Sequence, residues 1–227
     1  MRNDQAANCS REHEAQPVPV RWLGTVPYPD AWSAQRAHRE QVISGDASGE
    51  LWMLEHPPTI TTGRRAAGVN IEAVQRAGFA LFATERGGLA TCHEPGQLVG
   101  YLIADVRKAG IRCAVSAIEA GIVAWLARLG VDASRREGLI GVWVGGAKIA
   151  ALGLHVRRGV TMHGFALNLT NTLAGFDLIV PCGIVGGQVT SLARLLPAAP
   201  SVTSAWQALG QDVDISLASV GVGCDKP

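Results

Sequence analysis

The chain has 227 residues, 48% hydrophobic and 17% charged, with a formal net charge of +1. That length suits one α/β domain with a full core, and the near-neutral charge excludes a global field drawing the protein to nucleic acid or membranes. No window approaches the ~18 uninterrupted apolar residues of a membrane span. The stretch 1–17 mixes Arg2 and Arg11 with Asp4, Glu12 and Glu14 and has no apolar run. It predicts a flexible tail rather than a leader, with the cytoplasm as the expected compartment.

In chain order, 20–24 reads as a first strand. Pro27-Tyr28-Pro29-Asp30 introduces a helix over 31–43, because proline and an acidic residue favour a helix start. The apolar run 51–54 reads as a buried strand, ended by His56-Pro57-Pro58. The β-branched piece 59–62 runs into the basic loop Gly63-Arg64-Arg65, suited either to an anionic ligand or to solvent. A short helix is expected over 71–77, a strand over 79–83 and a nearly continuous apolar strand over 97–105. The clearest helix signal is the capping-box pattern Ser116-Ala117-Ile118-Glu119, with Ile118, Ile122, Trp125, Leu126 and Leu129 at helical spacing and Gly130 at the stop. The segment 141–156 reads as a hairpin turning at Gly145-Gly146, followed by the turn Arg157-Arg158-Gly159 and a strand over 162–169. Short helices are expected over 189–196 and 201–209, then a C-terminal tail over 213–227.

Three local features carry chemistry. The run Arg86-Gly87-Gly88-Leu89-Ala90-Thr91-Cys92-His93-Glu94-Pro95-Gly96-Gln97 holds three glycines; Gly87-Gly88 permits a tight turn or close approach to a ligand, and Pro95-Gly96 reads as a turn. Between them there is room for one short strand, so Arg86 and His93 face a ligand from opposite ends; the alternative is a Gly-rich turn with an exposed arginine and a satisfied histidine. Lys148 lies in an apolar strand whose glycine and alanine neighbours leave space for a ligand. Cys182, between Pro181 and Gly183, falls on a bend, where a sulfur is accessible. The other cysteines, Cys9, Cys92, Cys113 and Cys224, are widely spaced with no C-x-x-C pair, so plain thiols are expected rather than a disulfide scaffold or a metal site.

Over about 21–196 the chain resembles the lipoyl(octanoyl) transferases, relatives of the biotin and lipoate protein ligases. The resemblance rests on four ordered runs: Arg86-Gly87-Gly88 with Thr91, His93 and Pro95-Gly96-Gln97; Gly141-Val142-Trp143-Val144 with Lys148-Ile149-Ala150; His163-Gly164-Phe165-Ala166-Leu167-Asn168; and Val180-Pro181-Cys182-Gly183-Ile184 with Val189-Thr190-Ser191-Leu192. Each run alone is weak; their order is specific. The resemblance implies a single α/β (α+β) catalytic domain over 18–212, a mixed β-sheet with packed helices.

It further implies that an octanoyl or lipoyl group moves from acyl carrier protein to a lysine of lipoyl domains, without a cofactor. The acceptors it implies are 2-oxoacid dehydrogenase E2 subunits and the glycine cleavage H protein. Cys182 becomes the acyl-thioester nucleophile and Lys148 the group that lowers its pKa. The acyl pocket is lined by Arg86, Gly87, Gly88, Leu89, Ala90, Thr91, Cys92 and His93, by Ala151, Leu152 and Gly153, and by Gly164, Phe165 and Ala166. The Cys92 thiol is read as a strand filler, His155 as structural, and His93 and His163 as rival bases. Glu94 stands where the family usually has glycine, so strain at a left-handed backbone and a raised His93 pKa are expected there. Two other readings stay open: an ATP-dependent lipoate or biotin ligase, and a non-catalytic binding module for lipoyl domains.

Overall fold

The computed structural model describes residues 16–65, 69–179 and 188–223. Most of the predicted N-terminal tail, Cys9, Cys224 and the Pro181-Cys182-Gly183 bend lie outside the described residues.

Two sheets carry the fold. The larger has seven strands in the order β1-β2-β6-β10-β9-β8-β7, and the smaller has three in the order β4-β3-β5. These are β1 (Val20–Thr25), β2 (Glu50–Glu55), β3 (Thr59–Thr62), β4 (Ala80–Ala83), β5 (Ala90–His93), β6 (Gln97–Ile103), β7 (Ala133–Arg136), β8 (Leu139–Val144), β9 (Ala147–Arg157) and β10 (Val160–Asn168). β1 runs parallel to β2, and β3 parallel to β4; the other pairings are antiparallel.

Side-chain alternation along the central strands builds a core on each face of the large sheet. Leu51 and Met53 of β2, with Leu98 and Leu102 of β6, pack under the helices α3 (Ile111–Arg128) and α4 (Val202–Ala218). Trp52 and Leu54, with Val99, Tyr101 and Ile103, pack on the other face with Ala31 of α1 (Tyr28–Ser44). A third cluster joins the small sheet to the helix α2 (Ile71–Arg76) through Ile60, Val74, Cys92 and Phe176. Helices α3 and α4 approach closely because position 121 is glycine: a Cβ there would stand 2.6 Å from the Val213 Cα.

Three expectations need correction. Helix α3 begins at Ile111 after Gly110, with no side-chain cap, and Ser116 falls inside it; Ile111 and Val115 extend the apolar stripe a turn further back than the capping pattern suggests. Helix α4 continues to Ala218 and buries Val213 and Leu217, and Val222 joins the same core, so residues 213–222 pack against the domain where a tail was expected. The stretch expected as a helix over 189–196 instead has Val189 bridged to Lys148, and only Leu192–Arg194 turns, as a 3-10 helix.

Candidate active site

A cavity of about 610 Å³ opens between the large sheet and the small one. Its walls come from the 86–91 run, β9, β10 and the start of α3, and Lys148 stands among them. The wall formed by 86–88 is fixed to β9 through backbone: the Gly87 N–H donates to the Leu154 carbonyl at 3.2 Å. Gly153 makes the contact possible, since a Cβ there would stand 2.9 Å from the Gly87 oxygen. Arg86 braces the same loop from behind, donating to Thr61 Oγ1 at 3.1 Å, to the Thr61 carbonyl at 2.7 Å and to the Gly87 carbonyl at 3.1 Å.

The predicted pocket residues meet here. Arg86, Gly87, Gly88, Leu89, Ala90, Thr91, His93, Ala151, Leu152, Gly153, Gly164, Phe165 and Ala166 all line the cavity. Cys92 is the exception. The pleat of β5 turns it into the small-sheet core, fully buried, and burial together with the Glu94 charge pushes its thiol pKa far up. Cys113, between the cavity-lining Ile111 and Val115, is disulfide-bonded rather than the plain thiol expected.

Lys148 is 9% exposed. Its Nζ donates to the Ile140 carbonyl at 3.0 Å and lies 4.6 Å from the centre of the Trp143 ring. The strand segment that presents this carbonyl is held by Glu119 of α3, whose carboxylate accepts from the Gly141 N–H at 2.7 Å. Burial raises the Glu119 pKa. The backbone of Lys148 is bonded on both sides: its N–H donates to the Gln188 carbonyl at 2.8 Å, and its carbonyl accepts from the Thr190 N–H at 2.9 Å. Cys182 lies outside the described residues, six positions before Gln188 in the chain.

The far part of the cavity is aromatic and polar. Tyr28 stacks on His93 with ring centres 6.1 Å apart, and His56 meets His93 edge-on at 5.5 Å. His93 Nδ1 pairs with Gln97 Oε1 at 2.8 Å. Because the Gln97 amide nitrogen donates to the Cys92 carbonyl and to Asn168 Oδ1, its oxygen accepts, and the proton sits on His93 Nδ1. Burial, then the neighbouring His56, lowers the His93 pKa well below the usual imidazole value. His163 is likewise buried and lowered to about 4, so both imidazoles are neutral near pH 7. His163 also takes a left-handed backbone, φ 62°, within β10. His155 lies behind the cavity, its Nδ1 3.4 Å from Arg39 Nη1.

Glu94 departs from both expectations. It is not among the non-glycine residues with positive φ, which in the described chain are Arg158, His163 and Leu173. It is buried, and its carboxylate is occupied by donors from 171–173, so no rise in the His93 pKa results. Sequence reasoning did not single out Tyr28 and Tyr101 for the cavity, nor Ile111, Val115 and the 138–140 turn at its edge. The signal for the last was an apolar pair, Leu139-Ile140, beside a turn glycine.

Mixed sheets packed with helices thus frame a cavity lined by both apolar and polar side chains, with the nearly buried Lys148 among them. Comparison with known proteins shows which family has this fold. The Lipoyl protein ligase A/B catalytic domain matches residues 27–213. A protein of Halorhodospira halophila named octanoyltransferase is 43% identical over 189 residues, covering 82% of this chain and 84% of its own. An octanoyltransferase of Solibacter usitatus is 45% identical over 182 residues, covering 78% and 82%. In fold, the chain is similar to a lipoate-protein ligase A solved with ATP, at TM-score 0.72 and 16% identity over 89% of this chain and 86% of that one. It is also similar to the biotin protein ligase of Aquifex aeolicus, at TM-score 0.57 and 10% identity over 88% and 70%. The chain belongs to the lipoyl protein ligase A/B catalytic-domain family.

Proposed function

We propose that this chain is a cytoplasmic acyltransferase that moves an octanoyl group from acyl carrier protein to a lysine of lipoyl domains, through a thioester on Cys182 activated by Lys148. The acceptors in this reading are the 2-oxoacid dehydrogenase E2 subunits and the glycine cleavage H protein. The observation that carries it is the nearly buried Lys148 at the cavity, its backbone bonded to Gln188 and Thr190. Cys182 precedes Gln188 by six positions in the chain, which supports a reading in which thiol and amine act together. The octanoyltransferase relatives support the acyl group assigned.

A thiolate suits the reaction because it is both nucleophile and leaving group, and a lysine ammonium beside a cysteine stabilises the thiolate. In the first half-reaction Cys182 Sγ attacks the donor carbonyl, the carbon–sulfur bond to the carrier's phosphopantetheine breaks, and the Lys148 proton passes to the departing sulfur. In the second, the neutral Lys148 amine takes a proton from the incoming lysine, its nitrogen attacks the thioester, and Cys182 leaves as thiolate. The seven carbons beyond the octanoyl carbonyl, buried along Leu152, Leu154 and Phe165, contribute on the order of 5 kcal/mol.

The donor docks at the mouth of the cavity, whose lining includes Arg64 and Arg65 and the exposed Ile111, Leu139 and Ile140. The other basic pair, Arg157-Arg158, lies nine residues along β9 from Lys148, about 30 Å in an extended strand, with Arg157 paired to Glu40. Reversing the charge of Arg64 and Arg65 raises KM for the carrier-bound donor and spares a small octanoyl thioester. An equal effect on both donors refutes docking there. Transfer from the thioester proceeds without ATP in this reading; an ATP requirement, or full activity in Cys182→Ser, sinks it in favour of the ligase reaction.

A further inference from the structure

Glu94 is built into a buried network. Its carboxylate accepts from the Leu173 N–H at 2.6 Å, from Asn171 Nδ2 at 3.1 Å and from Thr172 Oγ1 at 3.3 Å. Asn171 Nδ2 also donates to Asn168 Oδ1 at 3.1 Å, and so does Gln97 Nε2 at 2.9 Å. Asn168 Nδ2 donates to the Thr190 carbonyl at 3.0 Å, and the Thr190 N–H donates to the Lys148 carbonyl at 2.9 Å. The network therefore runs from Glu94 to the backbone of Lys148. On its way it bonds both stems of the segment that contains Cys182: the departing stem at 171–173 and the returning stem at 190.

Several features suggest more than passive packing. An ionised carboxylate makes stronger bonds than a neutral acceptor, and here three of them converge on consecutive residues. One falls on Leu173, a non-glycine held at φ 70°, a conformation that persists only where surroundings enforce it. Glycine at position 94 has no side chain to supply these bonds.

We propose that Glu94 is a positioning residue for acyl transfer: it fixes the two stems of the Cys182 segment against the strand that carries Lys148. The inference rests on the proposed Cys182–Lys148 chemistry. Loss of the carboxylate loosens the register between thiol and amine, and such displacements cost up to about a hundredfold in rate.

The test uses the full chain, kept reduced, as wild type, Glu94→Ala, Glu94→Gly and Glu94→Gln. The pH dependence of Cys182 alkylation by iodoacetamide is followed by peptide mapping, alongside kcat and KM for a small octanoyl thioester. In the wild type Cys182 titrates below the free-thiol value of about 8.5. In Glu94→Ala and Glu94→Gly the titration moves up toward that value and kcat falls about tenfold or more, with KM unchanged. Glu94→Gln, whose oxygen still accepts from Leu173, restores most of the activity. If the smaller residues do not fold, Asn171→Ala, which cuts the link from Glu94 to Asn168, carries the same expectation as Glu94→Ala. Folded Glu94→Ala, Glu94→Gly or Asn171→Ala with wild-type kcat and wild-type Cys182 titration overturns the positioning role alone. A wild type that forms no acyl-Cys182 and shows no lowered titration overturns the underlying reading, and this inference with it.

Discussion

Replacing Lys148 with methionine removes the ammonium while keeping an unbranched stem of similar length. The structural cost is moderate: the bond from the ammonium to the Ile140 carbonyl is lost, ~1.5–3 kcal/mol for a charged donor, and the contact with the Trp143 face loses its cation, ~1–2 kcal/mol at a nearly buried site. Relief of a nearly buried charge offsets part of this, so the variant folds. Its chemistry changes far more. Without the ammonium, a thiol titrating near 8.5 is about 3% thiolate at pH 7, which alone slows acylation roughly thirtyfold. Loss of proton transfer to and from the same amine removes a further factor of about 10², so single-turnover transfer to a lipoyl domain falls by at least ~10³. The assay is rapid-quench transfer from octanoyl-acyl carrier protein, with circular dichroism to establish folding. A folded Lys148→Met protein within tenfold of wild type refutes the reasoning.

Two other outcomes follow from the same geometry. Cys92→Ala leaves transfer intact and lowers stability by about 1–2 kcal/mol, because its side chain is fully buried in the small-sheet core; loss of activity in the folded variant contradicts the assignment. The buried histidines make the fold acid-labile. His56 is lowered to about 4 by burial, and His93 and His163 move the same way. Since the unfolded chain binds these protons first, stability is full above about pH 6.5 and lost as pH falls toward 4. His56 and His163 each cost about 2–3 kcal/mol by pH 4.5, and denaturant melts at pH 7 and 4.5 read the difference; equal midpoints contradict the neutral-histidine picture.

The parts of this molecule legible in its sequence are those whose cause is local. The Gly87-Gly88 pair marks where 86–88 meets β9, and the nearly continuous apolar runs of β2 and β6 predict buried strands. The capping pattern at Ser116 misplaced the start of α3, since a serine, though favoured at an N-cap, is still tolerated inside a helix whose apolar stripe reaches further back. Strand β7 went unread because three of its four residues are exposed, two of them arginine, as suits a charged sheet edge. The role of Glu94 was beyond reach for another reason: its partners lie 77 to 79 positions downstream, and only the fold brings a turn beside β5 against the chain leaving β10.

Acylation of Cys182 is tested most directly by mass spectrometry of the reduced protein after incubation with octanoyl-acyl carrier protein and no acceptor. One octanoyl group is expected, mapped to Cys182 and discharged on addition of a lipoyl domain. An adduct on another residue, or efficient transfer with no adduct at Cys182, contradicts it.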